Sequence, residues 1–206
     1  MAGILTNLRS TVIAGFGLAL LLFIFYIYGQ FSAAAHIGDA LGSTVFWAFI
    51  FRWAHVLCGI MWIGLLYYFN FVQIPNMPSI PDEQKPAIGK VIAPAALWWF
   101  RWGAMGTIVF GILLAGLNGY LIDAYLLGLT DGGASTIIGI GMWLGTIMWF
   151  NVWFIIWPNQ KIALGIIDAD AEQKPKAART AMLFSRTNTL LSIPMLFAMV
   201  INQNAF

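Results

Sequence analysis

The chain has 206 residues, of which 61% are hydrophobic and 9% are charged. Soluble domains carry about 25% charged residues, so these few charges exclude a surface covered by water and indicate an integral membrane protein. The formal net charge of +2 gives no basis for a nucleic-acid partner. The single cysteine, Cys58, excludes an internal disulfide, a CxxCH haem-attachment motif and a cysteine-rich metal site.

Five apolar segments along the chain have the length of about 20 residues that a membrane-spanning helix needs. We therefore predict an all-α integral membrane helix bundle of about five transmembrane helices that forms one domain over residues 1–206. The second segment is longer than a bilayer requires, which favours a tilted helix or an extension beyond the membrane. The predicted helices are residues 10–30, 44–73, 96–120, 135–158 and 181–202.

The lysines and arginines alternate between predicted loops, and this alternation sets the orientation of the bundle. Arg9 precedes the first helix, whereas the loops after the first and third helices contain neither residue type. Because basic loops favour the cytoplasm, the pattern predicts a cytoplasmic N-terminus and a C-terminus outside. The loops after the second and fourth helices contain Lys85, Lys90, Lys161, Lys174, Lys176 and Arg179.

The second segment carries ionisable residues at a depth where charge is costly, which makes them candidates for a functional site. At helical spacing, one face presents Arg52, His55, Gly59 and Trp62. A neutral imidazole is a good axial ligand for haem iron, and an arginine one turn away suits a haem propionate. Gly59 leaves a flat notch beside the imidazole, for a haem ring or for another helix.

A structural interpretation of the same face stays open. His55 then bonds a backbone carbonyl or a neighbouring helix, and Arg52 extends to the outer interface. His36 is the only other histidine, so a haem with two histidine ligands from this chain requires it.

Polar residues also cluster toward the predicted cytoplasmic side, on four of the helices. They form either a polar pocket for a planar ligand or quinone head, with an arginine as anion clamp, or hydrogen bonds that tie the bundle together. The candidate residues are Asn70, Arg101, Asn151, Arg186 and Asn188.

Four stretches, in this order, resemble the N-terminal membrane domain of the bacterial urate hydroxylase family, the cytochrome c-linked urate oxidases. The resemblance covers residues 48–200 and implies a multi-pass protein of the bacterial inner membrane. His55 matches the histidine of the corresponding family helix, which makes it a candidate ligand of a b-type haem. The stretches are FRWAHVLCGIMWIGLLYYFNFVQ, LWWFRWGAMGTIVFGILL, MWFNVWFIIWPNQK and SRTNTLLSIPMLFAM.

Longer members of that family continue into further membrane helices and a C-terminal cytochrome c domain. This sequence resembles a truncated form without the cytochrome c domain, so we expect a subunit of a redox or respiratory membrane complex that works beside other membrane subunits. One alternative is a urate-oxidising oxidoreductase that uses a separate cytochrome c. A second alternative is a structural subunit without a cofactor. The expected partners are membrane lipids, other membrane subunits and cytochrome c.

Overall fold

The computed structural model describes the backbone of residues 6–30 and 41–204, and the side chains of residues 6–24 and 41–201. In these ranges the regular structure is entirely helical, which confirms the predicted all-α class. Two compact units divide the chain, residues 1–46 and 47–206. The predicted second haem ligand, His36, lies outside the described residues.

The first unit contains helix α1, Leu8–Gln30. Asn7 caps this helix, because its side-chain oxygen accepts hydrogen bonds from the backbone nitrogens of Arg9 at 2.9 Å and Ser10 at 3.4 Å. The cap explains why α1 begins two residues before the predicted start at residue 10. Its part with described side chains, Leu8–Ile24, is apolar.

The second unit is built on four long helical rods, and each is long and apolar enough to cross a membrane. Their main helices are α2 (Thr44–Tyr67), which begins just before the unit boundary, α3 (Ala93–Leu117), α5 (Thr136–Phe150) and α6 (Gln173–Asn204). A short helix, α4 (Leu121–Tyr125), connects α3 to α5. With their extensions, the rods run Thr44–Ser79, Lys85–Leu117, Thr136–Ala163 and Gln173–Ile201.

The rods continue through prolines that lie near the predicted helix ends at residues 73 and 158. Wide π-helical turns at Tyr68–Gln73, Ile88–Ile92 and Asn151–Ile156 each end two residues before a proline. The proline then occupies the first turn of the next α-helical segment, where its missing N–H is tolerated. The rod of α2 therefore continues past residue 73 to Ser79, the rod of α3 begins at Lys85, and the rod of α5 continues past residue 158 to Ala163.

The last helix begins at Gln173 instead of the predicted residue 181. Asp170 provides the cap, since its carboxylate accepts hydrogen bonds from the backbone nitrogens of Glu172 at 2.9 Å and Gln173 at 2.6 Å. An acidic residue at this position also suits the positive end of the helix dipole. Residues 173–180, which lie in the loop predicted between the fourth and fifth helices, thus form the first two turns of α6.

The interior of the second unit is small and tightly packed, and its outer surface is apolar. Fully buried side chains include Trp62, Phe100 and Met148. By contrast, Phe154 and Leu190 are more than half exposed. An apolar exterior of this kind suits contact with lipid, and together with the four long helices it identifies a membrane protein.

Glycines bring α2 and α3 into close contact. A Cβ atom at Gly103 would lie 3.2 Å from the backbone nitrogen of Trp62 and 3.3 Å from the carbonyl oxygen of Cys58. On α5, a Cβ atom at Gly141 would lie 3.1 Å from the Cβ of Ala198. Small residues therefore set the helix spacing, and this spacing positions the site described next.

Candidate functional site

A cavity of about 540 Å³ lies within the second unit, between α2, α3, α5 and α6. Its volume falls in the range of about 300–1,000 Å³ that is usual for small-molecule and cofactor sites. Five residues were predicted for the candidate haem site, and four of them line this cavity, namely Arg52, His55, Gly59 and Trp62.

His55 is oriented by a hydrogen bond to the neighbouring helix. Its Nδ1 lies 2.8 Å from the backbone carbonyl oxygen of Thr107 on α3. A carbonyl only accepts, so Nδ1 carries the proton and donates, and Nε2 of the neutral ring keeps its lone pair. Histidines that bind metal ions are usually held in this way by their second nitrogen.

Glycines on both sides give the imidazole its space. A Cβ atom at Gly111 of α3 would lie 3.0 Å from both Cε1 and Nδ1 of His55, which is tighter than ordinary contact. Gly59, one turn from His55 on α2, has only Thr107 Cγ2 nearby, at 4.0 Å from its Cβ position. The predicted notch is therefore present, and the hydrogen bond of the structural interpretation is present as well. The two are compatible, since the bond uses only one ring nitrogen.

The polar groups at the cavity wall include Arg52, Tyr120 and Trp62. Arg52 is exposed, and none of the ion pairs between described residues includes it. Burial raises the pKa of the Tyr120 phenol, while the positive charge of Arg52 acts in the opposite direction. Trp62 is 1% exposed, and its indole N–H has no partner among the described residues. These groups give the cavity a cation and two neutral donors.

Three methionines, one from α5 and two from α6, add soft sulfur ligands to the cavity wall. Within the described residues no group of three or more histidine, cysteine, aspartate or glutamate side chains is placed to hold a metal ion. The donor set instead suits haem, which needs one or two axial ligands and a cationic group for its propionates. The methionines are Met142, Met195 and Met199.

The asparagines predicted for the polar pocket on the cytoplasmic side form separate hydrogen-bonded pairs. Asn151 Nδ2 donates to Asn188 Oδ1 at 2.8 Å, and Asn188 Nδ2 donates to the carbonyl oxygen of Met148 at 2.9 Å. Asn70 Nδ2 donates to Ser185 Oγ at 2.8 Å and to the carbonyl oxygen of Leu66 at 2.9 Å. These bonds tie the last helix to α2 and α5, as the structural interpretation predicts.

The two arginines predicted for the polar pocket on the cytoplasmic side lie apart from these pairs. The guanidinium carbon of Arg101 lies 3.5 Å from the ring centroid of Trp157, and Arg186 is exposed. Asn70 Oδ1 and Gln73 Oε1 are buried without a partner among the residues described here. Each of these oxygens has room for one further donor, and an ordered water would supply it.

Residues 119–206 match the family model described as urate oxidase N-terminal. No curated protein and no solved structure matches the chain. The match supports the relation to urate oxidases that the sequence motifs suggest, and it includes α4, α5 and α6. It therefore covers the wall of the cavity that carries Tyr120 and the three methionines.

The remaining wall of the cavity lies outside the urate oxidase match. Arg52 and His55 are on α2, and Thr107 and Gly111 are on α3, all before residue 119. One side of the cavity therefore lies within the urate oxidase match and provides the sulfur groups and the phenol of Tyr120. The other side lies outside the match and provides the imidazole and the guanidinium.

Proposed function

We propose that this chain is an integral membrane subunit of a redox complex in the bacterial inner membrane, and that it binds a b-type haem for electron transfer. The observation that carries the proposal is the hydrogen bond from His55 Nδ1 to Thr107, which leaves the lone pair of Nε2 unused on a residue that lines a cavity of about 540 Å³. Bound haem would supply one-electron chemistry there.

Four residues of the cavity wall have a role in this proposal. Thr107 fixes the tautomer and the plane of the His55 ring, and Gly111 leaves room for that ring. Arg52 would pair with a propionate through its planar guanidinium. The indole N–H of Trp62 has no acceptor among the described residues and would donate to a bound group. The apolar residues around them exclude water and lower the local dielectric constant, which tunes the potential of a redox group.

The visible absorption spectrum of the full chain in mild detergent tests the proposal. We expect a Soret band with split alpha and beta bands in the wild-type protein and its loss in His55→Ala. Lys176→Ala is the control, because Lys176 is exposed and pairs only with Glu172 among the described residues. A colourless wild-type protein, with a His55→Ala variant that assembles normally, rejects haem and favours the structural subunit without a cofactor.

Urate oxidation with a separate cytochrome c is the second candidate function, and the match of residues 119–206 to the urate oxidase N-terminal family favours it. Turnover of urate by the purified chain with added cytochrome c tests this activity. Reduction of cytochrome c that depends on urate supports it. A haem-containing chain that does not react with urate leaves the electron-transfer subunit as the function, working beside other membrane subunits.

A further inference from the structure

Two cations share one indole ring at the end of the rod that contains α5. The guanidinium carbon of Arg101 lies 3.5 Å from the ring centroid of Trp157, and Lys161 Nζ lies 5.8 Å from the same centroid. Arg101 also lies 5.7 Å from the ring centroid of Trp153. Aromatic rings attract cations through their negative faces, so this cluster holds two positive charges close together.

No carboxylate pairs with either cation in the part of the chain that the structure describes, where the ion pairs are Lys85–Asp82 and Lys176–Glu172. Arg101 donates only Nε, to the carbonyl oxygen of Leu97 at 3.3 Å. Its terminal nitrogens keep their donors for another acceptor. The cluster therefore carries two positive charges that no described carboxylate neutralises.

A third cation lies near the turn that follows. Lys174 Nζ is 3.9 Å from the Cβ position of Gly165. The turn folds back onto Lys161, whose carbonyl oxygen accepts the backbone N–H groups of Ile166 at 2.9 Å and Ile167 at 3.1 Å. Both isoleucines are exposed, at 53% and 43%. Exposed apolar side chains beside cations and tryptophan are typical of the membrane interface.

We propose that Arg101, Lys161 and Trp157 form a binding site for the phosphate of an anionic phospholipid headgroup. The bidentate donors of Arg101 suit a phosphate, Lys161 adds a point charge, and Ile166 and Ile167 would contact the upper acyl chain. Basic pockets between helices at the membrane surface bind anionic lipids in this way. This site is separate from the cavity and does not depend on haem.

Lipid titration followed by native mass spectrometry tests the site with the full chain in detergent, using phosphatidylglycerol and phosphatidylcholine as probes. We expect preferential retention of phosphatidylglycerol. In the double variant Arg101→Gln and Lys161→Gln, affinity for it should fall about 30-fold, since each basic side chain near an anionic surface contributes roughly fivefold. Lys85→Gln is the matched control, because Lys85 already pairs with Asp82.

An unchanged lipid preference in the double variant overturns the proposal, and so does an equal loss in Lys85→Gln. Inorganic phosphate is the competing probe, and its displacement of the lipid at equal concentration would show that the site takes a free anion instead. If the double variant melts at a lower temperature in phosphatidylcholine, Lys161→Gln alone replaces it. That variant must still lose about fivefold in affinity for phosphatidylglycerol.

Discussion

Asn188 is fully buried on α6, and its side chain both accepts a hydrogen bond from Asn151 at 2.8 Å and donates one to the carbonyl oxygen of Met148 at 2.9 Å. One amide thereby fastens the last helix to the rod of α5. Its replacement by an apolar residue of similar size leaves the amide of Asn151 buried without an acceptor.

We expect Asn188→Leu to lower the free energy of unfolding by about 1–2 kcal/mol, since polar contacts between membrane helices contribute roughly 0.6 kcal/mol and a stranded buried amide costs more. Thermal melting in detergent measures this loss. Thr187→Val is the control on the same helix, because Thr187 is exposed and bonds only within its own helix, to Leu183. Equal melting temperatures for the two variants would contradict a stabilising role for the Asn151–Asn188 pair.

The space beside His55 gives a second prediction. Gly111→Ala places a Cβ atom 3.0 Å from the imidazole, so the ring must shift by a few tenths of an ångström while its Nδ1 is held by Thr107. Overpacking of this kind costs about 1–3 kcal/mol, and haem affinity should fall with it. Haem titration and thermal melting measure the two effects.

Gly145→Ala is the matched control for that substitution. Gly145 also lies on a long helix and lines the cavity, but no atom lies within 4 Å of its Cβ position. Alanine should be neutral there or should stabilise the helix by up to about 1 kcal/mol. If Gly145→Ala harms the protein as much as Gly111→Ala does, the crowding at His55 is not the cause.

Tyr120 makes the stability of the fold depend on pH. Burial raises the pKa of its phenol, so the folded state favours the protonated form. Stability from this group is therefore complete below the ordinary pKa of tyrosine and is lost as pH rises through the raised value. We expect Tyr120→Phe to weaken the fall in melting temperature at alkaline pH.

Arg52→Gln should shift the pKa of that phenol in the same direction as burial does. The positive charge of Arg52 stabilises the phenolate, so its removal raises the pKa of Tyr120 further. The difference in ultraviolet titration between Arg52→Gln and the double variant with Tyr120→Phe isolates this one phenol. If the pKa of Tyr120 is the same in Arg52→Gln as in the wild type, the charge of Arg52 does not act on the phenol.

The cavity wall offers methionines that would serve as a second ligand of the proposed haem, and the sequence offers His36, which lies outside the described residues. Met142→Leu, Met195→Leu and Met199→Leu conserve volume, so packing should change little. Loss of a methionine ligand would lower the midpoint potential, because thioether ligation raises it. If only His36→Ala changes the spectrum, the haem has two histidine ligands.

Much of the fold was predictable because its strongest signals are local. Long apolar segments predict the rods, and the spacing of Arg52, His55, Gly59 and Trp62 predicts a shared face; all four residues line the cavity. The helix ends were less predictable. The helix ends were predicted at residues 73 and 158, close to Pro75 and at Pro158, yet each rod continues through its proline after a π-helical turn.

The other half of the cavity was not predictable from local pattern. Tyr120, Met142 and Met199 reach it from three different elements, and apolar or aromatic residues in such segments carry no signal that distinguishes a cavity wall from a lipid-facing surface. Arg186 shows the reverse problem. Its neighbours Ser185 and Asn188 are buried, but one residue along the helix turns its side chain outward.

The central claim is that His55 holds a haem within this chain, and native mass spectrometry after incubation with haem tests it most directly. We predict that the wild-type chain gains the mass of one haem, that Lys176→Ala gains it equally, and that His55→Ala gains none while melting at a similar temperature without haem. Equal haem retention by wild-type and His55→Ala, or retention by neither, would contradict the claim.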